Sequence, residues 1–78
     1  MKELQVIFDS IQEIERFVRI ATQYPGEVQV IKGQYILDGK AILGLLSLGT
    51  KQQLTLSCDG TIDGFSDFLS QISDYLVS

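Results

Sequence analysis

The sequence predicts an α+β fold: a two-layer, open-faced sandwich with a four-stranded antiparallel sheet and three helices on one face, in the order βαββαβα. Three observations carry this. Two segments, around 11–21 and 65–76, place apolar residues at helical spacing, so each has one face to bury. Four short segments, alternating or rich in Val and Ile, are bounded by Gly, Pro and Asp-Gly turn signals. The chain has 78 residues, the size of one small domain. Strands and helices must then share one core, which a sheet covered by helices on one side provides.

Residues 2–8 alternate, with Leu4, Val6 and Phe8 on one face, and read as the first strand. Asp9-Ser10 offers a helix start. Ser10-Ile11-Gln12-Glu13 fits a capping box, in which the serine hydroxyl and the glutamate three residues on satisfy free backbone N–H groups. Ile11, Ile14, Phe17, Val18 and Ala21 then form an apolar stripe, and Tyr24-Pro25-Gly26 stops the helix. Residues 27–32 are a second strand. Gly33, or Gly33-Gln34, makes a tight turn, and 34–38 return as a third strand. Asp38-Gly39 turns into a short apolar helix over roughly 40–48, ended by Gly49 as a left-handed cap. In that helix Ile42, Leu43, Leu45, Leu46 and Leu48 point to too many sides to share one core, so some of them are expected at the surface. Residues 52–58 form the fourth strand, with Leu54, Leu56 and Cys58 on one face. After the Asp59-Gly60 turn, Thr61 and Asp63 are candidate N-caps for a last helix that carries Phe65, Phe68, Leu69, Ile72 and Leu76.

A domain of this length buries only about 60% of its unfolded surface, so its core is marginal but sufficient. With 45% hydrophobic residues and a mean hydropathy of +0.18, the chain is not disordered. No apolar run approaches the ~20 residues that span a bilayer. Met1-Lys2-Glu3-Leu4 opens no signal-peptide core, and a cytoplasmic location is expected. The net charge is −4, and the six basic residues (Lys2, Arg16, Arg19, Lys32, Lys40, Lys51) are scattered. Phosphate tracking needs clustered cations, which argues against nucleic acid and against anionic membrane surfaces. The lone Cys58 has no disulfide partner, and a chain without histidine lacks the usual zinc set, so Cys58 reads as a buried structural thiol. Asp59, Asp63 and Asp67 lack calcium-loop spacing and its closing glutamate, and read as turn and cap residues. No G-x-x-x-x-G-K-[ST] loop is present. No metal, cofactor or enzyme activity is expected.

One segment carries a family likeness. Gly39-Lys40-Ala41-Ile42-Leu43-Gly44-Leu45-Leu46-Ser47-Leu48-Gly49 resembles the short second helix of HPr, the small phosphocarrier of the bacterial sugar phosphotransferase system. The likeness holds without gaps from about Ser10 to Ser57. Tyr24 falls at a family aromatic position, Val28 and Val30 in the second strand, and Leu54-Thr55-Leu56-Ser57 in the fourth. The resemblance implies the HPr-like fold over a single domain, 1–78.

The family's functional residues do not follow. HPr carries phosphate on a histidine at the start of its first helix, in a His-x-Arg-Pro motif; the matching places here are Ser10, Gln12 and Glu13. A regulatory serine found at the start of the short helix in some members is matched by Ala41, while Lys40 before it is kept. Imidazole suits reversible phosphoryl transfer near neutral pH, whereas a serine phosphate is a stable ester. A helix start still attracts anions, but Asp9, Glu13 and Glu15 set negative charge there, and Gln12 cannot neutralise phosphate as arginine does.

The resemblance therefore implies a non-catalytic protein-binding or regulatory domain. Its expected contact surface combines Ser10, Gln12 and Glu13 with Lys40, Ala41, Ile42, Leu43, Leu45 and Leu46. Its expected partner is a phosphotransferase-system component or a regulator that recognises HPr. Two alternatives stand beside it: a divergent phosphoacceptor modified at Ser10, and a homodimeric structural domain. Ser47 and Lys40 read as locally hydrogen-bonded, solvated residues, and Tyr24 and Tyr35 as packing residues with wet hydroxyls.

Overall fold

The computed structural model describes residues 1–77 and has the expected order of elements. β1 (Lys2–Ile7), β2 (Val28–Lys32), β3 (Tyr35–Asp38) and β4 (Gln53–Cys58) form one sheet. The helices are α1 (Ile11–Gln23), α2 (Ile42–Leu48) and α3 (Phe65–Gln71), followed by a 3₁₀ turn at Ser73–Tyr75. The sheet order is β1-β4-β2-β3, and every neighbouring pair is antiparallel. β4 thus enters between β1 and β2, splitting the β1–α1–β2 unit.

Strand alternation decides where the core lies. Val6, Val28, Val30, Leu54, Leu56 and Cys58 share the covered face and are fully buried. Onto them pack Ile14, Phe17 and Ala21 of α1, Leu45 of α2, Phe68 of α3, and Ile72. Phe8, just past β1, meets Phe17 at 5.0 Å and Tyr75 at 5.4 Å between ring centroids, both tilted. Each fully buried side chain of this kind contributes about 1.5–3 kcal/mol. The opposite face is polar near its centre. There Gln5 Nε2 donates to Thr55 Oγ1 at 3.2 Å, and Gln53 Nε2 donates to Gln5 Oε1 at 3.2 Å.

Two glycines are required by geometry. Gly33 has φ +58° at the first central position of the β2–β3 turn, as a II′-type hairpin needs. At Gly39 a Cβ would lie 2.5 Å from Val28 Cγ1, because the Gly39 N–H approaches to donate to Val28 O at 2.8 Å.

Four expectations are corrected. The short helix begins at Ile42 rather than Lys40: Asp38 Oδ1 accepts from Lys40 N at 2.9 Å, and Asp38 O accepts from Ala41 N at 3.1 Å, so a turn occupies these residues. The last helix is capped neither by Thr61 nor by Asp63. Its N-cap is Gly64, with φ +94° and no side-chain cap, and Thr61 instead donates its N–H and hydroxyl to Asp59 Oδ1. That helix also stops at Gln71 and does not reach Leu76. Leu76 is extended and bridges Val6, and Val77 N donates to Gln5 O at 2.8 Å, so the tail pairs with the β1 edge. Finally, Ile11 leaves the α1 stripe and is 56% exposed. It lies in the first turn, before the helix has come over the sheet.

Candidate functional site

The entry of α1 is where the sequence resemblance would place the family's phosphorylated histidine. Ser10 is extended, at φ −150° and ψ 164°, and its Oγ accepts from Glu13 N at 3.2 Å. Glu13 answers by accepting from Asp9 N through Oε1 at 2.9 Å. This is the capping box expected, with the carboxylate reaching one residue further back than usual. Ser10 and Glu13 are half-buried, and Ile11 and Gln12 are exposed. The backbone donors that would cradle an anion are thus partly engaged by the chain's own side chains, and the Asp9 and Glu13 carboxylates set negative charge beside them.

Among the described residues no cation offsets that charge in the way an arginine two residues after Ser10 would. Arg16, one turn on from Gln12, leans away. Its guanidinium lies 3.8 Å from the Asp74 carboxylate and 6.0 Å from the centre of the Tyr75 ring. Tyr75 is the residue that the sequence pattern did not flag here. It is buried against Phe8, its hydroxyl has no hydrogen-bond partner among the described residues, and burial pushes its pKa up. Only its aromatic character in the last segment hinted at packing, and nothing in the sequence placed it under α1.

The second part of the expected surface is α2. Leu43 is 80% exposed, whereas Leu45 is 2% exposed and belongs to the core. Leu45 therefore drops out of the expected contact surface, because its face of α2 turns onto the sheet. Ile42 and Leu46 are partly buried against that core. Ala41 is the N-cap and offers no side-chain cap. The Lys40 amine donates to Tyr24 O at 2.8 Å, so it binds the C-terminal end of α1. Ser47 Oγ donates to Gly44 O at 2.6 Å, a local bond as expected.

Two contacts orient the pair of helices. Lys51 N donates to Phe8 O at 2.7 Å, which ties the exit of α2 to the entry of α1, and the Lys40–Tyr24 bond ties the entry of α2 to the exit of α1. The helices run in opposed directions. Ser10 and Ala41 therefore mark opposite ends of the pair and are not brought together. The surface between them is about as long as α1, ~20 Å at 1.5 Å per residue.

At the far end, Tyr24 stacks on Phe68 at 4.5 Å and its hydroxyl donates to Asp59 O. Burial, then the nearby Asp59 carboxylate and Cys58, push the Tyr24 pKa up. Cys58 is buried, as expected. Burial, and then Asp59, raise its thiol pKa, with the N-terminal ammonium opposing weakly, so it is a poor nucleophile. Among the described residues no group of His, Cys, Asp or Glu is placed to hold a metal ion, and no helix is long and apolar enough to cross a membrane.

No protein-family model and no curated protein matches the chain. Solved structures do. HPr-C-His from Thermoanaerobacter tengcongensis is 25% identical, with 95% of this chain and 89% of that chain covered and a TM-score of 0.74. A histidine-containing phosphocarrier protein from Mycoplasma is 12% identical, with 94% and 89% covered and a TM-score of 0.71. The fold is HPr-like, as the sequence resemblance implied.

Proposed function

We propose that this chain is a non-catalytic, HPr-like protein-binding domain over residues 1–78. It docks on a component of the phosphotransferase system, or on a regulator that recognises HPr, in the cytoplasm. One observation carries the reading. The residue in the histidine's place, Ser10, serves as a helix cap inside an anionic first turn. The chain has no histidine anywhere to take over the transfer.

The HPr-like fold supports partners of this class. Exposed apolar side chains on the α1–α2 side supply contacts: Ile11 beside Ser10, and Leu43 on α2. With the exposed Gln12 and the partly buried Ile42 and Leu46 they line that side. Ser10, Glu13, Lys40 and Ala41 complete it. With neither family phosphorylation site available, the domain binds independently of phosphate state.

The test is intact mass after incubation with phosphoenolpyruvate and enzyme I, and separately with ATP and HPr kinase, using a true HPr as positive control. No added phosphate is expected. One added phosphate that Ser10→Ala abolishes would replace this reading with the phosphoacceptor. In a pull-down with enzyme I or HPr kinase as bait, Ile11→Asp and Leu43→Asp are each expected to weaken capture while leaving the fold intact. Unchanged capture would remove the surface from consideration. A stable dimer on sedimentation would favour the structural alternative.

A further inference from the structure

The β1 edge of the sheet is covered by the tail through Leu76 and Val77, but the β3 edge is not. Lys32 and Tyr35 close the hairpin as a pair, so the backbone groups of Tyr35 and Leu37 turn toward β2. By alternation the N–H and C=O of Ile36 turn outward. Tyr35 is 69% exposed and Ile36 62%. Beneath this edge, between β3 and α2, runs an open groove of about 280 Å³ lined by Lys32, Tyr35, Leu37, Ser47 and Leu48. The Lys32 amine at its hairpin end has no acidic partner; among the described residues the one ion pair is Arg16–Asp74.

We infer that the β3 edge receives an extended peptide segment of a partner protein by strand addition, with side chains of that segment lying in the β3–α2 groove. In such pairing the main chain supplies affinity and alternate side chains supply specificity. Same-face residues of a strand recur every second position. One side chain of the added strand therefore falls against Leu37 and Leu48, and the next on that face falls beside Tyr35 and Lys32. The fitting motif is an apolar residue and a carboxylate two positions apart. Charge complementarity at Lys32 selects an acidic peptide. A second copy of this chain fits less well: four strand residues per copy fall well short of the roughly 800 Å² per partner of a stable dimer. This groove shares no residue with the proposed α1–α2 contact surface, and the inference does not rest on the phosphotransferase reading.

The probes are acetyl-Thr-Leu-Thr-Glu-Thr-Val-amide and its reversed-spacing partner acetyl-Thr-Glu-Thr-Leu-Thr-Val-amide, each beside a version with Lys for Glu. Amide chemical shifts of the intact chain report binding. Shifts at Tyr35, Ile36 and Leu48 are expected with one of the two Glu peptides, and binding about three- to fivefold weaker with its Lys version, the worth of one exposed ion pair. Lys32→Glu is expected to invert that preference. Ile36→Pro removes the outward N–H at an edge position where proline is tolerated, and should abolish the shifts. Should that variant misfold, the Lys32→Glu exchange decides alone. No shift up to about 5 mM peptide, equal binding of the Glu and Lys versions, or shifts confined to the entry of α1 would each overturn the inference. So would concentration-dependent shifts of the β3 edge without peptide, which would assign the edge to a second copy.

Discussion

At Ser10 a single hydroxyl closes the start of α1. Its oxygen accepts one of the free N–H groups of α1, and such caps contribute ~1 kcal/mol, with a range of about 0.5–2. Ser10→Ala is expected to lower unfolding free energy by about that much, while Ser10→Asp keeps the cap and costs at most a few tenths. Urea midpoints of the two variants decide this. An alanine variant as stable as the parent would mean that the cap contributes nothing and that the hydroxyl is free for another role. Asp59 is a second residue with one local task. The hydroxyl of Thr61, then its N–H, hold the Asp59 carboxyl below the ordinary carboxylate value. A lowered folded pKa gives stability that is present above the unfolded value of about 3.9 and is lost as pH falls below it. Thr61→Val removes the hydroxyl donor, so the Asp59 carboxyl resonance should titrate at higher pH than in the parent. An unmoved titration would assign the lowering to the backbone bond alone.

The helices show what periodicity reveals and what it hides. In α1 the spacing of Ile14, Phe17 and Ala21 was legible and all three are buried, but Ile11, in phase with them, is not. Phase records which side of a helix is apolar, not whether the sheet extends beneath each turn. In α2 the sequence offered five apolar residues for one face and could not say which was core. The turn at Asp38–Ala41 sets the phase, and it gives Leu45 to the core and Leu43 to solvent. Leu43→Asp should then change stability by less than about 0.5 kcal/mol, whereas Leu45→Ala should cost about 2–5 kcal/mol. Equal costs would mean that the register of α2 is wrong. Gly44 sits inside α2, where a Cβ would meet Leu37 at 3.7 Å and Ala41 at 4.0 Å, ordinary contacts. Gly44→Ala should therefore stabilise the domain by about 0.5–1 kcal/mol. A loss on thermal melting would reveal a backbone approach that these distances do not contain. The end of α3 was illegible for a different reason. Leu76 continues the helical spacing of Phe65, Phe68, Leu69 and Ile72, yet the tail pairs with β1 instead. The open edge of β1 lies more than sixty positions away in the chain, and no local window can contain it.

Across the whole molecule, element order followed from turn signals and two amphipathic stripes, but the order of strands in the sheet did not. The insertion of β4 between β1 and β2 is a long-range pairing. It brings Cys58 at the end of β4 beneath Tyr24 at the end of α1, joined by the bond from the Tyr24 hydroxyl to Asp59 O. The core therefore contains three acids that ionise only at alkaline pH: Cys58, Tyr24 and Tyr75, from three separate parts of the chain. Burial is the leading cause of a raised pKa in each. In the folded protein they hold their protons to higher pH than the unfolded chain does. Above about pH 8.5, where a free thiol begins to ionise, and increasingly toward the phenol value near 10, the unfolded state binds fewer protons, so stability falls as pH rises. Below that window the contribution is fully present. The urea midpoint should be flat in these groups near neutrality and drop between about pH 8.5 and 10.5. Cys58→Ala should remove the first part of the drop at some cost in packing. The same burial predicts that a thiol reagent labels Cys58 at neutral pH only at the rate of unfolding. A midpoint unchanged across the alkaline range, or rapid labelling of the folded chain, would show that water reaches the β4–α1 junction and that the sheet order places Cys58 wrongly.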